Sequence, residues 1–484
     1  MVLTALSPEK VLRDLSVLKD ILFRGLWGDP IWARAPTAGG RGVVCVKARA
    51  IFETPCRMVY RSAMLSRGLF GFLILSFLYF LLGNWILSFT SLDEGRNMSA
   101  VQHMLKSKDF ILPMYNCQPR FEKPPMLYWL VSISSFLFGL NEFSARLVSG
   151  LSAIGLTVLT YLLARDLYSK DIAIKASLIL LTFPHLWIES RAVVPEMLNT
   201  FFTFAGLYAF LKERFLLGWL ALSIAFLTKG PVGVVLCVGV YLLWKRDFRF
   251  LNPKGLFLFF VFGFSWYALM IAHHGYEYFY RFFIYENFMR YTGQRSTHPA
   301  PFYYYLIVLA VGTLWYLPLY PRLLKGFKRE WTPLLLWFSF VLIFFSLASN
   351  KLHHYILFAY PPLAILLAHV ASKSYLRLAV SLSLLMLISL LPLLYFYQSN
   401  RFTPKAYPIV KAYQGPVYFY KAEDSALVYY SERCIERLED PLRAKGLIIT
   451  KESHLKDLSS CKLLLKGKEF DGVYALLECN GGLK

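Results

Sequence analysis

Long apolar stretches constrain this chain more than any other feature of its sequence. Segment 68–89, GLFGFLILSFLYFLLGNWILSF, contains no charged residue. A helix of roughly 20 such residues is long enough to cross the hydrocarbon core of a bilayer. Similar segments recur as far as residue 397, and 57% of the 484 residues are hydrophobic. The sequence therefore predicts a polytopic membrane protein.

The order of apolar and polar segments also predicts a topology. The apolar segments predict about 11–13 transmembrane helices. They lie near 68–89, 143–164, 172–188, 193–212, 215–228, 230–244, 256–273, 302–320, 333–349, 354–370 and 375–397. With a cytoplasmic N-terminus, the connections rich in Lys and Arg, such as KRDFRFLNPKG, face the cytoplasm, as the positive-inside rule requires. The connections with the most varied polar residues then share the outer face.

The basic composition has a simple explanation in a membrane protein. A formal net charge of +22 also suits proteins that bind nucleic acid. In polytopic membrane proteins, however, Lys and Arg collect in cytoplasmic loops and set the orientation. We therefore predict the lipid bilayer as a partner and no nucleic acid.

Three parts of the chain differ in character. Residues 1–65 lack the apolar core of a signal peptide, and we predict a cytosolic N-terminal extension whose role the sequence does not define. Residues 66–399 form the predicted all-α membrane domain with its outer-face loops. Residues 400–484 contain short strand-like runs, such as GLIIT and VYALLEC, between charged segments. They predict a small C-terminal α/β extracytoplasmic domain.

The cysteines add a limited expectation. The chain has seven, without a CxxC pair, which indicates neither a redox motif nor a zinc ribbon. Cys434, Cys461 and Cys479 lie in the predicted outer domain, where an oxidising compartment permits one disulfide and leaves one thiol free. The sequence does not select the pair.

Two adjacent carboxylates follow the first predicted span. Segment 91–110, SLDEGRNMSAVQHMLKSKDF, has apolar residues at helical spacing, which predicts an amphipathic helix along the membrane surface. An acidic residue at a helix start also caps free amide groups. Capping accounts well for one acidic residue at this position and less well for two. We therefore hypothesise a chemical role for Asp93.

A polar cluster precedes a second outer helix in segment 118–129, QPRFEKPPMLYW. Proline favours the first turn of a helix, whose amino end carries a positive partial charge. Lys123 stands beside this end, and the two together predict an anion site suited to phosphate. The alternative is a lysine that extends to the membrane interface. Glu122 suits such a site only if it pairs with a cation or binds a metal.

Other polar residues are predicted on the same face. Glu196 follows a proline in RAVVPEM, where helix capping is the alternative, and KLHHY (351–355) lies at the outer mouth of a predicted span. Adjacent histidines do not share one helical face, so this pair alone is a weak metal site. His298 precedes an aromatic belt typical of the membrane interface.

An ordered set of motifs carries a family resemblance across residues 64–400. These motifs are LDEGR, FEKPPMLYWL, NEFSARLVS, RAVVPEM, AFLTKGP, HPAPFYYYL and KLHHYILFAYPPLA. The set resembles the GT-C glycosyltransferases, the superfamily of the 4-amino-4-deoxy-L-arabinose lipid A transferases and the protein O-mannosyltransferases. The resemblance implies a GT-C type membrane domain and an inverting glycosyltransferase of EC class 2.4 with a polyprenyl-phosphate sugar donor.

The resemblance also implies roles for individual residues. Asp93 matches the catalytic carboxylate of the first outer loop, and Glu196 stands where the family usually has Asp. Residues implied to bind the donor or its phosphate are Arg96, Lys123, Lys351 and Tyr355. Glu122 and His298 resemble the family's metal-binding pair, so a divalent metal ion is expected as a cofactor, with zinc suited to these ligands. KLHHY departs from the family's usual proline-containing form.

The function implied is transfer of a sugar, aminoarabinose or a related one, from an undecaprenyl-phosphate donor to lipid A. The site would face the periplasm from the bacterial inner membrane. Alternatives are transfer from a polyprenyl-phosphate sugar to protein hydroxyls or core oligosaccharide. A lipid-linked sugar flippase or transporter is the alternative from another class, and its polar groups should cluster near the bilayer midplane.

Overall fold

A computed structural model of the chain describes residues 71–90, 92–294, 298–443 and 445–480. The predicted extension 1–65 lies outside these residues. The chain divides into two compact units, residues 1–78 and 79–484. The described residues of the first unit belong to an apolar helix, Gly71–Leu81. All contacts reported below lie within the second unit.

The second unit is mostly helical, in agreement with the predicted fold class. Its longer helices are Leu92–Ser107, Met126–Phe138, Glu142–Leu167, Lys170–Leu181, Pro195–Leu211, Phe215–Lys229, Val232–Lys245, Ser265–Phe279, Thr332–Leu347, Tyr360–Val370, Lys373–Ser399 and Thr403–Ala412. Shorter helical segments are Pro184–Glu189, Pro253–Leu258, Phe259–Gly263, Tyr280–Phe288, Met289–Thr292, Tyr304–Gly312, Leu314–Leu319, Tyr320–Lys325, Arg329–Trp331, His353–Ala359, Ser425–Ser431, Pro441–Arg443 and Glu452–Leu458.

Several of the predicted spans are broken helices. By length and composition, three described helices can each cross a membrane: Glu142–Leu167, Arg329–Leu347 and Lys373–Ser399. The number rises to five if each of two bent pairs forms one span, Pro253–Gly263 with Ser265–Thr292 and Tyr304–Gly312 with Leu314–Lys325. Proline causes some of the breaks because it lacks an amide hydrogen and clashes with the preceding turn. Pro184, for example, begins a new helix inside the predicted span 172–188.

The helix that follows the first predicted span packs against other parts of the protein, although its apolar spacing predicted a helix along the membrane surface. Leu92–Ser107 forms as predicted, but its apolar residues do not simply face lipid. Met98 and Val101 share a buried core with Leu127 and with Tyr429 of the C-terminal region. Apolar periodicity marks the buried side of a helix, but it does not distinguish lipid from protein as the covering surface.

A two-stranded hairpin precedes the second outer helix. Its strands are β1 (Met114–Tyr115) and β2 (Gln118–Pro119), and they pair antiparallel. Helix Met126–Phe138 follows, with Pro125 in the capping position. The QPRFEKPP segment therefore connects β2 to the start of this helix, with Arg120 and Phe121 buried and Glu122 exposed.

The small α/β domain predicted at the C-terminus is present. Its strands are β3 (Val417–Tyr420), β4 (Glu436–Arg437), β5 (Lys445–Lys451), β6 (Lys462–Glu469) and β7 (Gly472–Asn480). They form one sheet in the order β4-β3-β5-β7-β6. β3 runs parallel to β4 and β5, whereas β7 runs antiparallel to β5 and β6. Helices Thr403–Ala412 and Ser425–Ser431 contribute residues to its core.

The cysteine prediction is wrong in one respect. Cys461 pairs with Cys479, and Cys434 is not left free because it pairs with Cys117 of the hairpin. The side chain of Asn116 reinforces this contact, since it donates to the Ile435 carbonyl and accepts from the Ile435 amide. The sequence did not indicate this bridge because its ends are 317 residues apart.

Candidate functional site

The two adjacent carboxylates occupy different environments. Glu94 is buried, forms an ion pair with Arg146 at 2.9 Å, and accepts hydrogen bonds from the amides of Thr90 and Val193. It therefore fixes the start of its helix. The Asp93 side chain is 43% exposed. Asp93 is the carboxylate that remains available for chemistry.

Cations surround Asp93. Oδ1 of Asp93 lies 3.9 Å from Nη2 of Arg120, and Lys123, Arg96 and Glu196 also contribute to its electrostatic environment. Partial removal from water acts to raise the pKa of Asp93, but the positive charges of Lys123 and Arg120 outweigh it and lower the pKa below its ordinary value. The carboxylate is therefore ionised at neutral pH and can accept a hydrogen bond or a proton.

Arg120 is a buried cation with spare donors. Its side chain is only 5% exposed, and within the described part of the chain Nε and Nη1 have no hydrogen-bond partner. Its nearest carboxylates are at long range, Asp93 at 3.9 Å and Oε2 of Glu122 at 3.8 Å. Buried donors without partners are costly. This site is therefore suited to bind an additional anion.

Glu196 contacts residues from two other sequence motifs. It is 4% exposed, and its Oε1 lies 3.0 Å from Nζ of Lys229 and 3.3 Å from Nε2 of His354. Nζ of Lys229 also lies 4.4 Å from the ring centre of Tyr355. RAVVPEM, AFLTKGP and KLHHY therefore meet at one point, and Glu196 has partners beyond a helix cap.

Most of the predicted residues lie close enough to affect one another electrostatically. The charged groups that act on Tyr355 are Arg290, Lys123, Glu196 and Asp93. Lys123 likewise acts on both Asp93 and Glu196. Two carboxylates and several cations thus converge beside Tyr355, which suits an anionic group with an adjacent acceptor.

Two of the predicted donor-binding residues have other partners in this arrangement. Arg96 forms an ion pair with Glu423 of the C-terminal domain at 2.7 Å, and Tyr115 donates to the same carboxylate oxygen. Lys351 is buried and its Nζ donates to the carbonyl of Ala348 at 2.6 Å. The Arg96 contact joins its helix to the C-terminal domain, whereas the Lys351 contact is local. The roles of both residues in donor binding remain predictions.

The two residues of the predicted metal pair have other neighbours. The Lys351 amide donates to the His298 carbonyl, and the charged groups that act on the His298 ring are Arg290 and Asp93. Partial burial and Arg290 lower the pKa of His298, against the opposing effect of Asp93. Glu122 approaches Arg120 instead. Among the residues that the structure describes, Glu122 and His298 form no ion pair.

Sequence reasoning did not assign Arg120 or Lys229 to the site. A signal for Lys229 was present, because it is the charged residue of the motif AFLTKGP and ends an apolar helix. Arg120 carried no such signal, because its burial depends on the folding of the hairpin around it.

Comparisons with known proteins identify relatives of this chain. The family model described as dolichyl-phosphate-mannose-protein mannosyltransferase matches residues 122–272. An uncharacterized protein of Aquifex aeolicus (strain VF5) is 48% identical over 415 residues, which are 86% of this chain and 100% of that protein. A Shewanella sediminis protein named undecaprenyl phosphate-alpha-4-amino-4-deoxy-L-arabinose arabinosyl transferase is 34% identical over 57% of this chain. The match spans 54% of the Shewanella protein.

A solved structure has the same fold. The crystal structure of ArnT from Cupriavidus metallidurans bound to undecaprenyl phosphate superposes with a TM-score of 0.68. The superposition covers 86% of this chain and 99% of that one, at 18% sequence identity. At this identity, the likeness establishes the GT-C architecture.

Proposed function

Because the chain belongs to the family of its Aquifex aeolicus relative and is a GT-C fold membrane glycosyltransferase, we propose that it transfers a sugar from a polyprenyl-phosphate carrier. The observation that carries this proposal is the ionised carboxylate of Asp93 beside Arg120 and Lys123. A carrier phosphate needs cations, and an acceptor needs a carboxylate that orients it or takes its proton. Both requirements are met within one site.

The proposed step is a single displacement at the sugar C1. The acceptor oxygen forms a bond to C1 while the bond between C1 and the phosphate oxygen breaks, so the configuration at C1 inverts. Lys123 and Arg120 stabilise the negative charge that the leaving phosphate gains. Asp93 orients the acceptor and receives its proton if the acceptor is a hydroxyl. An acceptor phosphate that is already ionised requires only orientation.

The expected metal is not used in this mechanism. A divalent ion at Glu122 and His298 remains a prediction. As arranged, Glu122 lies near Arg120 and forms no ion pair with His298 among the described residues, so these two groups do not offer a ready site. No step is derived through a metal there.

We infer the substrates and location from relatives and from chemistry. The name of the Shewanella relative supports an undecaprenyl-phosphate aminoarabinose donor, and lipid A is the proposed acceptor. The disulfide between Cys117 and Cys434 supports an oxidising compartment for the loops that hold Asp93 and Lys123. We propose that, in a bacterium, the site faces the periplasm from the inner membrane. Protein hydroxyls and core oligosaccharide are the alternative acceptors.

A direct transfer assay tests the proposal. Purified protein in detergent is incubated with undecaprenyl-phosphate aminoarabinose and lipid A, and products are measured by mass spectrometry. We expect sugar-modified lipid A and an equal amount of released undecaprenyl phosphate, with slower transfer by Asp93→Asn. Transfer to a peptide or core oligosaccharide instead would reassign the acceptor. If no acceptor is modified and the carrier is not released, the proposed donor is wrong.

A further inference from the structure

A second polar cluster lies near the proposed site and includes none of the residues assigned above. Helix Pro184–Glu189 places His185 and Glu189 one turn apart on the same face. His353, from the segment His353–Ala359, completes the cluster. Its Nδ1 lies 3.0 Å from Oε1 of Glu189 and 3.0 Å from Nε2 of His185, and these last two atoms are 3.5 Å apart.

These distances match one face of a tetrahedral metal site. Zinc binds histidine nitrogen and carboxylate oxygen at about 2.0–2.2 Å, so neighbouring donor atoms around a tetrahedral ion lie about 3.4 Å apart. The three separations in the cluster are between 3.0 and 3.5 Å. Two imidazoles and one carboxylate form a donor set that zinc uses in proteins. The ligands therefore need only small shifts to bind an ion.

The surroundings of the cluster also favour a cation. Glu189 is 2% exposed, and its Oε2 has no hydrogen-bond partner within the described part of the chain. A buried carboxylate requires a compensating positive charge. Nδ1 of His185 lies 2.5 Å from the hydroxyl of Tyr360. If Nδ1 donates to this hydroxyl, the lone pair of Nε2 points at the cluster, as in the supporting shell of metal-bound histidines.

We propose that His185, Glu189 and His353 bind one divalent transition-metal ion, with zinc favoured by the ligands. The ion would fasten helix Pro184–Glu189 to the segment that carries Tyr355. His353 is half-exposed, which leaves room for water or another oxygen ligand at the fourth position. The proposal does not depend on the transfer reaction. The rival explanation is a protonated histidine that supplies the positive charge in place of a metal.

Metal content of the full-length protein tests the proposal. Protein purified in detergent is loaded with zinc, transferred to metal-free buffer and analysed by plasma mass spectrometry. We expect about one zinc ion per chain in the wild type and background zinc in His353→Ala, whose half-exposed position makes misfolding a small risk. Glu189→Gln, which keeps the side-chain volume, should lose zinc as well. His454→Ala is the matched control because it removes a histidine from the C-terminal domain, and it should retain zinc.

Two further measurements make the result decisive. Cobalt replaces zinc, and its visible absorption should show a tetrahedral centre in the wild type and in His454→Ala but not in His353→Ala. A Glu122→Gln, His298→Ala double variant should retain the metal. Loss of zinc in that double variant, with zinc retained in His353→Ala, would assign the ion to the other pair. Wild-type protein without zinc after loading would overturn the proposal and leave the protonated histidine.

Discussion

The adjacent carboxylates at positions 93 and 94 differ in burial and in partners. Glu94 is 2% exposed and paired with Arg146, whereas Asp93 is 43% exposed and lies among cations that its charge does not fully satisfy. Removing one partner of a buried ion pair leaves an uncompensated buried charge, so the pair of Glu94 with Arg146 has a structural role. A charged side chain that is partly exposed can still contact a substrate.

We predict that Asp93→Asn lowers the rate of sugar transfer to a hydroxyl acceptor by about 10²–10⁴-fold, the usual contribution of a general base, while donor binding persists. The amide keeps the shape of the side chain but removes its charge. Single-turnover transfer and donor binding check this outcome. Glu94→Gln serves as the contrast, and it should lower the thermal midpoint because it leaves Arg146 buried without its charged partner. Near-normal transfer by Asp93→Asn would return Asp93 to a capping role.

We predict that Lys123→Ala weakens binding of the polyprenyl-phosphate donor by about 10- to 150-fold, because a charge-assisted hydrogen bond contributes about 1.5–3 kcal/mol. Lys123→Arg should not restore binding, since the planar guanidinium requires a different geometry. Donor affinity is measured by titration in detergent. Lys405→Ala, which removes an exposed lysine of the C-terminal domain, is the control. Equal donor affinity in Lys123→Ala and the wild type would falsify the phosphate contact.

At the scale of elements, the C-terminal domain holds the hairpin that precedes Lys123, the residue proposed to bind the carrier phosphate. Cys117 is bonded to Cys434, and the Asn116 side chain pairs with the backbone of Ile435. Short two-stranded hairpins have little stability of their own. The position of Lys123 therefore depends on the C-terminal domain as well as on the helix that follows it.

We predict that Cys434→Ser exposes Cys117 to alkylation and lowers the thermal midpoint, because loss of a native disulfide typically costs about 2–5 kcal/mol. Peptide mapping without reduction should recover the Cys117–Cys434 and Cys461–Cys479 pairs from the wild type. Cys237→Ser is the control, since that cysteine is free. A different pairing in the wild-type map would contradict the arrangement of the hairpin.

At the scale of the whole molecule, one arginine joins the C-terminal domain to the end of the first predicted span. Arg401 is 1% exposed and donates to the carbonyls of Ser88 and Phe89 at 2.8 and 2.9 Å. It also forms an ion pair with Glu469 at 2.7 Å. Arg401 therefore attaches the C-terminal domain to the helical domain. Glu423 of the C-terminal domain makes a second such contact, an ion pair with Arg96.

We predict that Arg401→Ala destabilises the protein by about 3–5 kcal/mol, since it leaves the carboxylate of Glu469 buried without its positively charged partner. The C-terminal domain should become more sensitive to protease before the helical domain does. Limited proteolysis and thermal unfolding in detergent measure both effects. Lys405→Ala, four residues away and exposed, should behave as the wild type. An unchanged thermal midpoint in Arg401→Ala would show that this contact contributes little.

The sequence by itself determined the membrane class, the helical fold with its C-terminal α/β domain, and the family. Each of these depends on local composition or on the order of short motifs. Only the tertiary structure separated Asp93 from Glu94 and joined Lys229 to Glu196, Cys117 to Cys434 and His353 to Glu189. Ion pairs, disulfides and metal clusters depend on distance in space, and residues far apart in the chain leave no local pattern that records their contact.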